Sequence, residues 1–155
     1  MLEFFPFEHS YILHLHINSF GHGKSESYSN WILSNNNITG IITIPSHEVT
    51  RLPMINEPTS SLSTTFLKHA EENIFVYSQE TSCLLGSSYI LRSSDGFIRV
   101  ELQYNCLQTL PTRINYRAIF ELSPSHSHYA KIYHQGQLIS ERLISNASPP
   151  WEIDT

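Results

Sequence analysis

The stretch Tyr89-Ile90-Leu91-Arg92-Ser93-Ser94-Asp95-Gly96-Phe97-Ile98-Arg99-Val100-Glu101-Leu102-Gln103-Tyr104 reads as a β-hairpin and sets the fold class. Asp95-Gly96 tolerates the positive φ that a tight reversal demands. Beyond it Ile98, Val100, Leu102 and Tyr104 alternate with Arg99, Glu101 and Gln103. A period of two turns the apolar set toward a core.

The same alternation returns from Arg113 to Leu122, with Ile114, Tyr116, Ala118, Phe120 and Leu122 on one face and Ile119 breaking the pattern. His128 to His134 and Gln137 to Ile144 flank Gln135-Gly136 as a second hairpin. Upstream, Tyr11 to Ile17, Tyr28 to Leu33 and Ile38 to Ile44 are strand-like, with Asn35-Asn36-Asn37 as the turn between the last two. Asn73 to Gln79 and Cys83 to Leu91 complete a set of about nine strands with short connections.

One helix is predicted from Ser61 to Glu72, where Leu62, Phe66, Leu67 and Ala70 share a face behind a Ser/Thr cluster that can cap the start. Pro45 to Pro58, with Pro53 between, predicts a long loop, and residues 146–155, with Pro149-Pro150, an extended tail. The expectation is one domain over residues 1–155, all-β with one short helix. Its architecture would be an antiparallel β-barrel of calycin or lipocalin-like type, or a closely related β-sandwich. The short motifs by which lipocalins are usually identified do not occur.

Composition agrees. Charged residues make up 15%, and only three lysines and four alanines are present, so helix formers are scarce. The net charge of −5, with six scattered arginines, offers no basic face for nucleic acid. Protonating the nine histidines would reverse the sign of that charge. The opening Met1 to Glu8 lacks the basic start and unbroken apolar run of a signal peptide, and no run reaches the roughly 18 apolar residues of a spanning helix. A cytoplasmic location without membrane contact is expected, with Cys83 and Cys106 as free thiols.

His14 and His16, two apart on a predicted strand, project from one face and have the spacing to share a metal, as do His126 and His128. Neither pair has a carboxylate a few residues on to complete a site, and no metal or other cofactor is predicted. A Ser-His-Asp triad lacks its acid, since Asp95 sits in a turn and Asp154 is the penultimate residue. Gly21-His22-Gly23-Lys24-Ser25 lacks the spacing of a phosphate loop. Cys83 and Cys106 flank the Asp95-Gly96 turn almost symmetrically, which makes a redox clip conceivable, with Gly86 as an intervening bulge that obscures the register.

The remaining polar signal is Tyr104 and Tyr116 on faces that read as interior, with Arg113 and Arg117 nearby in sequence to orient an anion. The sequence therefore suggests a pocket for a small apolar or aromatic organic ligand, held by a carrier or by a metal-independent acid-base enzyme such as an isomerase, cyclase or lyase. The first alternative is an interaction or assembly module that uses an exposed strand edge or the Pro45 to Pro58 loop to join a partner protein or a second copy. The other is an enzyme built on a His-ligated metal.

Overall fold

A computed structural model describes residues 24–54, 61–107 and 109–154. Ten strands and two helices follow in the order β1 (Glu26–Ser34), β2 (Asn37–Pro45), α1 (Ser46–Val49), α2 (Leu62–Asn73), β3 (Ile74–Ser78), β4 (Thr81–Ser82), β5 (Leu84–Leu91), β6 (Phe97–Asn105), β7 (Arg113–Tyr116), β8 (Ser127–His134), β9 (Gln137–Ile144) and β10 (Trp151–Glu152). Six form one sheet in the order β5-β6-β2-β1-β8-β9, and four form a second in the order β10-β7-β3-β4. Among the described residues neither sheet closes on itself, so the mostly-β expectation holds while a barrel is not formed.

The local signals act where the sequence placed them. Asn35 adopts φ 53° and joins β1 to β2 in a two-residue turn, and Gln135 and Gly136 at φ 52° and 77° do the same for β8 and β9. Ser61 caps α2, its hydroxyl accepting from the Thr64 amide at 3.2 Å, and the helix packs against β5 and β6.

The expectations for three segments change. The strand predicted from Arg113 to Leu122 ends at Tyr116, because Ile119 turns to φ 74° and its carbonyl accepts from the amides of Leu122 and Ser123. Its own amide donates to His69 Nε2 at 2.9 Å, and Ala118, Ile119 and Phe120 enter the core from this turn. Within the predicted Pro45 to Pro58 loop, Ser46–Val49 forms the single turn of α1. The tail is extended and also paired: Trp151 lies opposite Ile114, with Trp151 and Ile153 buried.

The core fills the space between the sheets. Trp31, Ile42, Val100, Phe66, Ile74, Ile114 and Phe120 are all buried, and Tyr104 spans the gap by donating its hydroxyl to the Ile74 carbonyl at 2.7 Å. Trp31 lies over Gly40, its register partner on β2, so closely that a Cβ there would stand 2.5 Å from the indole. Only glycine leaves room for that ring.

Cys83 and Cys106 form a disulfide, where free thiols were expected. The bulge at Gly86 brings them together. Beyond it Tyr89 faces Glu101, whereas before it Leu84 faces Asn105, so the next pair along is Cys83 and Cys106. Without the extra residue the two cysteines would be out of step by one.

Two outcomes test this packing. Gly40→Ala should cost about 2 kcal/mol or more by overpacking against Trp31, and an unchanged urea midpoint would mean that the indole does not rest there. Replacing both cysteines by alanine should lower stability by about 3 kcal/mol, the order expected for opening a loop of this length. A loss below about 0.5 kcal/mol, well under the usual disulfide range, would show the link to be idle.

Candidate functional site

β1 turns Ser27 and Ser29 inward in phase with Trp31 and Leu33, while β8 turns His128 inward in phase with Ala130 and Ile132. The two strands run parallel, with Ser27 beside His128. Ser25 and His126 continue the same faces just ahead of each strand. Serine and histidine thus interleave as a ladder.

Every rung is a hydrogen bond. Ser25 Oγ lies 2.6 Å from His126 Nδ1, and His126 Nε2 lies 2.7 Å from Ser27 Oγ. Ser27 Oγ is 2.6 Å from His128 Nδ1, and His128 Nε2 is 2.7 Å from Ser29 Oγ. At the inner end Trp31 Nε1 donates to Ser29 Oγ at 2.8 Å, and at the outer end Ser25 donates to Glu48 Oε2 at 2.7 Å.

With both imidazoles neutral, as their burial favours, the carboxylate end fixes the direction of every bond in the ladder. An indole nitrogen only donates and a carboxylate only accepts, while each hydroxyl has one proton to give. Ser29 therefore gives its proton to His128 Nε2, His128 Nδ1–H donates to Ser27, Ser27 to His126 Nε2, and His126 Nδ1–H to Ser25. Each neutral imidazole then carries its proton on Nδ1.

Electrostatics agree with that assignment. Burial holds the His128 imidazole well below its ordinary pKa, with His126 beside it adding to the effect. Burial also lowers His126, against a weaker pull upward from Glu48. Glu48, on α1, is itself buried, with Arg51 Nη1 3.9 Å and His47 Nε2 3.2 Å from its carboxylate oxygens. Arg51 also donates to Ser123 Oγ at 2.9 Å, and Ser123 donates to Ser25.

This arrangement is chemically quiet. In a nucleophilic triad the histidine stands between hydroxyl and carboxylate and offers the hydroxyl a lone pair. Here Ser25 stands between His126 and Glu48 and receives an N–H, so His126 cannot act as its base. Both ring nitrogens of each histidine are spent on serines, which leaves His126 and His128 no lone pair for a metal. Among the described residues no cluster of three or more His, Cys, Asp or Glu is placed to hold a metal. His14 and His16 lie outside the described residues.

No protein-family model matches the chain, and no curated protein matches it by sequence.

The four residues expected to line a ligand pocket make separate contacts among the described residues. Tyr104 spends its hydroxyl on Ile74. The Arg113 guanidinium lies over the Tyr77 ring, 4.6 Å from its centroid. Arg117 donates to the carbonyl and Oδ1 of Asn146 at 2.9 and 2.7 Å and lies over Phe120. Only Tyr116 joins the ladder, its ring stacked on His128 with centroids 3.7 Å apart. Its hydroxyl is buried with no partner of hydrogen-bonding geometry among the described residues; burial pushes its pKa up, and the nearby Ser27 hydroxyl eases that only in part.

Sequence reasoning singled out His126, His128 and Tyr116 but missed Ser25, Ser27, Ser29 and Glu48. The available signal was phase: small hydroxyls at every second position leading into Trp31 and Leu33 place polar groups on a core face, where they demand partners.

Acid should find the ladder first. The unfolded chain protonates its histidines near the ordinary value of 6.5, the folded chain only lower, so stability is full above that pH and declines as pH falls below it. His128→Phe should be less stable at pH 7.5 by about 1–3 kcal/mol, from the hydrogen bonds lost, yet show a shallower acid decline. An equally steep decline in unfolding free energy for both proteins would refute the assignment.

Proposed function

We propose that the protein is a non-catalytic interaction module whose working surface is the outer edge of β5, which accepts an extended strand from a partner. The supporting observation is a contrast among the four sheet edges of the described residues. β4 and β10 are two residues long, and β9 carries Glu141 and Arg142, all features that discourage edge pairing. β5, Leu-Leu-Gly-Ser-Ser-Tyr-Ile-Leu, is eight residues long without a charge or a proline, and Leu84, Leu85, Tyr89 and Ile90 stand exposed on it. Such an edge is a template for strand addition.

The disulfide at the head of β5 supports this use, because it ties the edge strand to the end of β6 and holds the template in place. It also favours an oxidising compartment over the cytoplasmic location suggested by the sequence. No helix among the described residues is long and apolar enough to cross a membrane.

A second reading keeps a small organic ligand, as in a calycin-like carrier. The unpartnered hydroxyl of Tyr116 favours it, since that buried group lacks a polar neighbour of good geometry. Tyr104, Arg113 and Arg117 already have protein partners and add no support.

Titrating the isotope-labelled full chain with an alternating threonine–valine octapeptide should shift amide resonances of β5 and its neighbour β6, and Ile90→Lys should abolish the shifts. Absence of peptide-induced shifts, or shifts that persist unchanged in Ile90→Lys, would count against the edge as the working surface.

A further inference from the structure

The sequence of β5 is complementary to itself, and we infer that its partner is β5 of a second copy, paired antiparallel across a two-fold axis at Ser88. This rests on the reading of β5 as an open edge and names what fills it.

Face and register carry the argument. Leu84, Ser87, Tyr89 and Leu91 lie opposite outward residues of β6, and Leu85, Ser88 and Ile90 opposite the inward Tyr104, Leu102 and Val100. The bulge at Gly86 makes this so, because it puts Leu85 and Ser87 on opposite faces although they are two apart. A two-fold axis normal to the sheet preserves faces, so only residues on the same face can meet across it.

With the axis at Ser88 that condition is met at every position. Ser88 meets its own copy, Ser87 meets Tyr89, Leu85 meets Ile90, and Leu84 meets Leu91. Leucines and isoleucine thus face one another at both ends of the ladder and hydroxyls face one another in the middle. An unbulged strand of this sequence, centred between Ser87 and Ser88, would oppose inward to outward residues throughout.

The exposed side chains at these positions gain most. Leu84, Leu85 and Ile90 are 58%, 37% and 47% exposed, which is high for aliphatic residues set in a sheet. Pairing would cover them and satisfy edge backbone groups that face no strand among the described residues, joining two six-stranded sheets into one of twelve. One feature opposes it: Glu71 of α2 accepts a hydrogen bond from Ser88, so two carboxylates approach the axis. The contact should therefore tighten with added salt.

Sedimentation equilibrium of the full, oxidised chain tests the inference. The expected result is a reversible dimer of twice the 17.8 kDa chain mass. Leu85→Glu and Ile90→Lys should each weaken it roughly tenfold or more, because the substituted pair occurs twice across the axis. The double variant Leu85→Glu/Ile90→Lys should regain most of the affinity, since each new glutamate meets a new lysine of the other copy. Glu71→Gln should tighten the dimer several-fold. Circular dichroism of each variant establishes that it is folded.

A monomer at every concentration would overturn self-pairing. If the threonine–valine peptide still shifted β5 in that monomer, the interaction reading would stand alone; if it did not, both would fall. A dimer indifferent to Ile90→Lys, or weakened by both single changes without recovery in the double, would overturn this register. Open-ended polymers in place of a dimer would do so too.

Discussion

A single file of hydrogen bonds from Trp31 to Glu48 holds β1 beside β8, and the architecture depends on that contact. The two strands come from residues about a hundred apart and form the one parallel pair in the six-stranded sheet. Without it β8 and β9 would have no place in the sheet. The ladder also fixes which residues meet, because each imidazole bridges two serines of the neighbouring strand. Sliding β8 by two residues would set His128 against the wrong hydroxyl and strand an end of the chain of donors in the core. A buried polar network of this kind contributes more to the choice of one structure than to the depth of its energy well.

The same network occupies both ring nitrogens of His126 and His128. Its ring nitrogens are all spent on serines, and its direction is set by the carboxylate at its outer end. Tyr116 lies flat on His128 and closes the ladder from the second sheet. On the outside of the molecule, β5 differs from every other described edge. The disulfide contributes at that place: it anchors the start of β5 to the end of β6, where an edge strand would otherwise fray.

Much of the local structure was legible in the sequence because its causes are local. Asn35, Gln135-Gly136 and Asp95-Gly96 mark turns by their backbone freedom, Ser61 marks a helix start, and period-two alternation marks the strands. Arg113 to Leu122 misled because Ala118 and Phe120 are buried from a turn in phase with the strand before it, and Ile119, the one residue out of pattern, was the sign of that turn. Cys83 and Cys106 were recognised as near neighbours, but Gly86 counted against their pairing when in fact its bulge aligns them. The β1–β8 contact was not legible, since periodicity says which face a side chain takes and nothing about which distant strand it meets. For the same reason Tyr104, Tyr116, Arg113 and Arg117 were grouped by their shared polarity, and the fold sends them to four different partners.

With His126 and His128 both neutral and protonated on Nδ1, the ladder has one direction. Long-range proton–nitrogen correlation spectra of the histidine rings at pH 7.5 read this directly, because protonated and bare ring nitrogens resonate far apart. The account predicts two buried rings with Nδ1 in the protonated range and Nε2 in the bare range, both unchanged on exchange of the solvent salt. An Nε2-protonated ring at either position, or an imidazolium at that pH, would contradict it.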